Sequence, residues 1–155
     1  MTTTREEIIG LVESNRDKID VADVGDGVSD EWIVKAEERL GLLLPDTYKW
    51  FLRTFGGGEI AGQEIYSIYE MEFEEAVGGD IVYMFITHEK NETFGIDKLV
   101  VCNNNGEEMF YFATTQPDGE GEYPIYRIDR IEGTETLYGD NFLEFLKNRI
   151  MFLCH

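Results

Sequence analysis

Carboxylates are the side chains through which this sequence could do chemistry, and they form two dense groups. The groups are Glu70, Glu72, Glu74 and Glu75 and, in a later polar loop, Asp118, Glu120 and Glu122. Such groups can bind the Lys and Arg side chains of a basic protein, or they can be solvated surface whose apolar neighbours face inward. Paired carboxylates can also hydrolyse glycosides, but with 32 acidic residues close pairs are unavoidable and predict nothing.

The other residues that support catalysis are scarce. The chain holds His88, the terminal His155, Cys102 and Cys154, and none of them stands at zinc-ligand spacing. His88 falls in a segment that reads as a polar loop, where Glu89 and Glu92 could raise its pKa. We therefore predict that the protein is not an enzyme and carries no metal and no cofactor.

Two further segments resemble ligand-binding loops without meeting their requirements. In residues 17–27, counting from Asp20 as the first position of a calcium loop, Gly25 is sixth, but Ala22 and Val24 occupy two ligand positions. We predict a loop there, without calcium. The glycines at 56–58 follow a helix, whose carboxyl end repels phosphate, and no Gly-Lys-Ser/Thr accompanies them, so their role is structural.

A short helix at residues 45–55 is the element around which the rest is arranged. Pro45 suits a first turn, and Asp46 places negative charge at the positive end of the helix dipole. One apolar stripe follows helical spacing: Tyr48, Phe51, Leu52 and Phe55. Gly56 can end the helix in a left-handed conformation.

The remaining elements are predicted from periodicity and turn signals. Helices are expected at 4–15, from Ser29 to Gly41, and at 142–153; residues 80–87 form either a helix turn or a strand. Residues 60–69 predict one strand or two broken at Gly62, and 123–128 another strand. Asn105-Gly106 predicts a hairpin joining 99–102 to 109–113, and 134–140 is predicted as a turn region.

Length and composition predict one globular domain over residues 1–155. The chain is 43% hydrophobic with 10 Phe and 8 Tyr, enough for its own core. The predicted fold class is α+β: a central, mainly antiparallel sheet of about five or six strands, packed with N-terminal and C-terminal helices.

Charge and targeting signals limit the partners. Asp and Glu number 32 against 13 Lys and Arg, a net charge of -19 that repels nucleic acid and anionic membranes and attracts basic proteins. The sequence shows no secretory signal and no apolar run of membrane-spanning length, so we expect a cytoplasmic protein with no direct nucleic-acid or membrane contact.

The central stretch resembles the SUKH superfamily, which includes bacterial toxin-immunity proteins and fungal regulators of cell-wall synthesis. The resemblance rests on Leu40, Gly41, Leu44, Pro45, Tyr48, Phe51, Leu52 and Gly56 to Gly58, then on the Tyr-Pro-Ile-Tyr segment at 123–126 and on Phe142 and Phe145. It spans roughly residues 29–150. Residues 70–98 match no motif, and partner specificity is expected to diverge there.

The resemblance implies an immunity protein that binds a cognate secreted toxin, often a nuclease in this family, and covers its basic active-site surface. The expected contacts are the two acidic groups above, with Trp32 or Tyr69 as anchors. Trp32 has a second interpretation, as a partly buried lid on the core. The alternative functions are a regulatory scaffold and a ligand-sensing module of the same fold.

Overall fold

A computed structural model describes residues 2–154 of the chain. Its centre is an antiparallel sheet of seven strands whose spatial order follows their order in the chain. The strands are β1 (Ile19–Val21), β2 (Gly58–Ile60), β3 (Gln63–Ile65), β4 (Lys98–Asn104), β5 (Glu108–Ala113), β6 (Ile125–Asp129) and β7 (Thr134–Gly139). The helices are α1 (Arg5–Ser14), α2 (Asp30–Leu40), α3 (Asp46–Phe55), α4 (Ile81–Lys90) and α5 (Phe142–Leu153), with a 3₁₀ turn at Phe73–Glu75.

The α+β class and the antiparallel sheet are confirmed, but the sheet has seven strands where five or six were predicted. β1 lies inside the segment predicted as a loop, and β7 inside the segment predicted as a turn region. β1 has only three residues, and most of β7 is exposed, so neither carries a clear apolar alternation. Pairing with a neighbouring strand, which local sequence does not reveal, makes them strands.

The central helix forms as predicted. α3 begins after Pro45 and ends at Gly56, which adopts a left-handed conformation (φ 73°) and donates its N–H to the carbonyl of Leu52. The chain then turns through Gly57 into β2. The predicted Asn-Gly hairpin joins β4 to β5, with Asn105 and Gly106 both at positive φ.

The core lies between the sheet and the helices on one of its faces. Phe112 contacts Tyr48 of α3 and Phe142 of α5, and Phe110 contacts Phe145. All five side chains are fully buried. Tyr111, which alternates with these phenylalanines, points to the opposite face. The apolar run at 80–87, predicted as either a helix turn or a strand, lies in the helix α4, which packs against β4.

Candidate functional site

A groove lies where α3 ends and the first three strands meet. Its volume is about 480 Å³, and its floor includes Phe55 and the glycines at 56–58. Four carboxylates line it: Asp20, Asp26, Glu64 and Glu70. We call this feature the acidic groove. Tyr69 lies at its rim, so the structure brings two of the predicted site residues, Tyr69 and Glu70, together with three acidic residues that were not predicted.

The strand register adds a row of like charges beside the groove. Asp20 on β1 stands opposite Glu59 on β2, and Glu59 stands opposite Glu64 on β3. Facing residues on neighbouring antiparallel strands project from the same face, with Cβ atoms about 4.5–5.5 Å apart, and like charges in this position destabilise the sheet. The three carboxylates therefore form an acidic row that a cationic partner would stabilise.

The groove carboxylates are not neutralised from within. Among the ion pairs formed within residues 2–154, nine Lys and Arg residues pair with ten carboxylates. Within residues 2–154, none of those ion pairs involves a groove carboxylate. The negative charge of the groove is therefore available to a partner.

Tyr69 is held in place by its hydroxyl group and its backbone. The hydroxyl donates to Glu64 Oε2 at 2.9 Å and accepts from the N–H of Gly79 at 2.6 Å. Burial and the Glu64 carboxylate raise the pKa of Tyr69 to about 12, so the phenol stays neutral and can donate. Tyr69 remains 37% exposed at the groove rim.

Asp80 fixes the backbone at Tyr69 and the start of α4. Its Oδ2 accepts from the N–H of Tyr69, and its Oδ1 accepts from the N–H groups of Val82 and Tyr83, each at 2.9 Å. Burial raises the pKa of this carboxyl, while the three backbone donors act in the opposite direction. Asp80 therefore positions the backbone of Tyr69 and caps the start of α4.

The acidic segment at 70–75 adjoins a second depression of about 420 Å³ on α2. Trp32 is half-buried there, packs edge-on against Phe73 at 5.7 Å and has the ammonium of Lys35 4.3 Å above its ring. Its contacts are those of a lid on the core, and the residue stays partly exposed. Glu72 lines this depression, and Arg39 pairs with Glu74.

The structure separates the second predicted acidic group from the first. Asp118 and Glu120 are exposed in the loop before β6, and Asp118 organises that loop by accepting from the N–H groups of Glu120 and Glu122. Glu122 is only 5% exposed. Its carboxylate accepts hydrogen bonds from the N–H of Thr47 at 3.1 Å and from the hydroxyl of Thr47 at 2.5 Å. Glu122 thus caps the start of α3, about 15 Å along the helix from the groove.

The other side chains that could act as bases or nucleophiles do not line the acidic groove where the structure describes them. His88 lies on α4, not in a loop, with its ring edge-on to Phe94 at 5.4 Å; burial and Arg130 lower its pKa, where the sequence suggested a rise. Burial raises the pKa of the Cys102 thiol to about 12, so Cys102 is not a nucleophile at neutral pH. His155 lies outside the described residues.

No group of His, Cys, Asp and Glu within residues 2–154 has the geometry to hold a metal ion. Among the helices described, none has the length and apolar content needed to cross a bilayer.

A family comparison supports the sequence resemblance. A SUKH family model, described as SMI1-KNR4 cell-wall, matches residues 30–146. This chain belongs to the SUKH superfamily. SUKH domains are generally non-catalytic proteins with immunity or regulatory roles that act through protein–protein contacts. The match begins at α2, so α1 and β1, which supplies Asp20, precede it.

Sequence reasoning missed Asp20, Asp26, Glu59 and Glu64 as site residues. The sequence suggested a role for Asp20 only as the first position of a calcium loop, and Asp26 was simply part of the predicted loop at 17–27. The signal that unites the row is strand register, which depends on β1 being recognised as a strand. The one clue to the row in the sequence is that β1, β2 and β3 each have an acidic residue at their middle position.

Proposed function

We propose that this SUKH protein is an immunity protein that binds a cognate secreted bacterial toxin and neutralises it by covering the toxin's basic active-site surface. A nuclease fits this description, since an enzyme that binds nucleic acid must present Lys and Arg to the phosphates. The observation that supports the proposal is the uncompensated charge of the acidic groove and row. Carboxylates on the inhibitor would take the place of the phosphates.

The proposed contact surface runs from the acidic groove to the depression at Trp32. Its carboxylates are Asp20, Asp26, Glu59, Glu64, Glu70, Glu72, Glu74 and Glu75, with Tyr69 and the partly exposed Trp32 as anchors. Asp118 and Glu120 form a second, separate candidate at the other end of α3. Glu122 is not included in either surface, because its buried carboxylate is bonded to Thr47.

The proposal includes no reaction and no cofactor, and it places the protein in the cytoplasm, without nucleic-acid or membrane contact. The regulatory scaffold remains the alternative, because the description of the matched family refers to the cell wall. The two functions differ in what they bind: one basic toxin domain, or several unrelated signalling proteins.

The first experiment identifies the partner and tests its toxicity. The full chain serves as bait for the lysate and secreted fraction of its source at low and high salt, and retained proteins are identified by mass spectrometry. We expect one basic protein whose retention falls at high salt, which arrests growth when expressed alone and does not when this chain is co-expressed. Capture of several signalling proteins, with no growth rescue, would favour the scaffold.

The second experiment assigns the surface with matched charge reversals. The first double variant, Glu70→Lys with Glu72→Lys, reverses charge on the proposed contact surface. The control, Glu89→Lys with Glu92→Lys, reverses the same charge at the end of α4. All four residues are exposed, and Glu70 and Glu92 share a positive φ of 58° and 57°. We expect toxin affinity to fall by about tenfold or more for the first pair and to stay nearly unchanged for the second. Equal losses would contradict the assignment, and a loss for Glu120→Lys alone would move it to the other loop.

A further inference from the structure

The second edge of the sheet is open. β7 pairs with β6 on one side, and no strand of the described chain lies on its other side. Residues 134–137 are exposed, and the nearby Asn148 amide reaches only the carbonyl of Tyr138, at 3.2 Å. The strand contains neither Lys nor Pro, two residues that commonly protect exposed edges from pairing.

The first edge of the sheet differs in both length and cover. β1 has three residues, and the guanidinium of Arg16 donates to the backbone carbonyls of Val21 and Ala22. Strand addition at β1 would have to displace this side chain. The two edges are therefore not equivalent, and only the β7 edge presents a run of six residues, about 20 Å long.

Apolar side chains flank the open edge. Leu137 is 54% exposed and Ile131 72%, and the end of α5, which packs on β7, adds Met151 and Phe152 at 59% and 67%. They are four of the ten large hydrophobic side chains that are exposed in residues 2–154. Because Leu137 alternates with Tyr138, which packs on Phe145 of α5, Leu137 lies on the sheet face away from α5. Exposed apolar side chains therefore border the unpaired strand on both faces, as is typical of a contact surface.

Charge is nearly balanced in this part of the molecule. Residues 125–154 carry five acidic and four basic residues, so almost all of the net charge of -19 belongs to residues 1–124. Glu135, the one charged residue of β7, is paired with Lys98 at 3.1 Å. The C-terminal part is therefore where two copies of this acidic chain can approach with the least repulsion.

We propose that β7 pairs with β7 of a second copy, antiparallel and two-fold symmetric, so that the two sheets become continuous. With Thr136 at the symmetry axis, Thr136 faces its own copy, Glu135 faces Leu137 of the second copy, and Thr134 faces Tyr138. Each pair is favourable or neutral, and no like charges oppose each other. This pairing does not depend on toxin binding.

Matched substitutions at the two ends of the molecule test the pairing. Leu137→Glu places a carboxylate opposite Glu135 of the second copy, twice per dimer, whereas Val24→Glu adds the same charge at a residue of similar exposure, 52%, in the loop after β1. We expect analytical ultracentrifugation of the wild type and of Val24→Glu to show dimers, and Leu137→Glu to weaken dimerisation at least about tenfold. A monomeric wild type, or equal behaviour of both variants, would overturn the proposal.

Cross-linking tests the register independently of stability. In a Cys154→Ser background, Thr136→Cys places two thiols opposite each other at the axis, while Cys102 stays buried. Mild oxidation should produce a covalent dimer rapidly, and Leu137→Cys, which faces Glu135 instead, should do so much more slowly. Equal rates for the two cysteine variants would reject the Thr136-centred register, and an absence of cross-linked dimer from both would reject the edge pairing.

Discussion

Single carboxylates in this protein differ in role according to whether the fold provides them with a donor. Glu120 and Glu122 are two positions apart in an acidic loop, but Glu120 is exposed and Glu122 is buried against Thr47. The difference arises from a contact 75 residues away in the chain. A local pattern of alternating acids therefore contains both surface charge and a helix cap, and the two are indistinguishable before the fold is known.

Asp80 offers a residue-scale prediction in which pH is the variable. Because burial raises the pKa of Asp80, its carboxylate is protonated more readily in the folded state than in the unfolded chain. Its contribution to the free energy of unfolding is therefore greatest below the ordinary Asp pKa and declines as pH rises towards the raised value. Asp80→Asn removes this dependence and leaves one acceptor oxygen for three N–H groups, which we expect to cost about 1–3 kcal/mol at pH 7.

Urea unfolding of both proteins over pH 3.5–7 measures the difference. The stability advantage of the wild type over Asp80→Asn should shrink as pH increases. An advantage that grows with pH would mean that the three backbone hydrogen bonds, which favour the carboxylate, outweigh the effect of burial.

At the scale of elements, the acidic groove is built by α3, the glycine turn that follows it, and the hairpin of β2 and β3. The turn requires Gly57 for two reasons: its φ is 93°, and a Cβ there would lie 2.3 Å from the Cβ of Ser67. Gly25 has nearly the same φ, 94°, but a Cβ there would meet nothing within 4 Å. Comparing substitutions at Gly25 and Gly57 therefore separates the cost of backbone strain from the cost of steric contact.

We expect Gly25→Ala and Gly57→Ala both to lose about 1 kcal/mol from the left-handed conformation. Gly57→Ala should lose a further 1–3 kcal/mol, on the order seen for overpacked sites, because Ser67 must move. Chemical denaturation of the two variants provides the comparison. If both lose the same amount, the turn can relax away from Ser67 and the close approach is not a constraint.

The elements that could be predicted are those whose ends and faces are encoded locally. α3 has Pro45 before it, Gly56 after it and one apolar stripe, and the β4–β5 hairpin has Asn105-Gly106. β1 and β7 could not be predicted, because three residues carry no period and the exposed β7 sequence Thr-Glu-Thr reads as a turn. The acidic row was missed with β1, since Asp20 joins Glu59 only through strand pairing.

For the whole molecule, charge repulsion should oppose folding. Carboxylates outnumber cations by 19, and the acidic row places three of them at facing positions. Salt screens this repulsion, so we expect the free energy of unfolding in urea to rise on the order of 1 kcal/mol between about 0.01 and 0.5 M NaCl. A decrease with salt would show that the internal ion pairs contribute more than the repulsion does.

The agreement of strand order with chain order also bears on how the molecule folds. Every ladder of the sheet joins strands that are consecutive in the chain, and the longest interruption, between β1 and β2, holds α2 and α3. Loop-closure entropy is therefore small for most of the pairings, which favours rapid folding for a β-rich chain. The exception is the packing of α1 on α5, supported by the pair Glu7–Lys147, which joins the two ends of the chain. That contact closes the longest loop in the protein, so its formation should complete folding, and its loss should speed unfolding without slowing the assembly of the sheet.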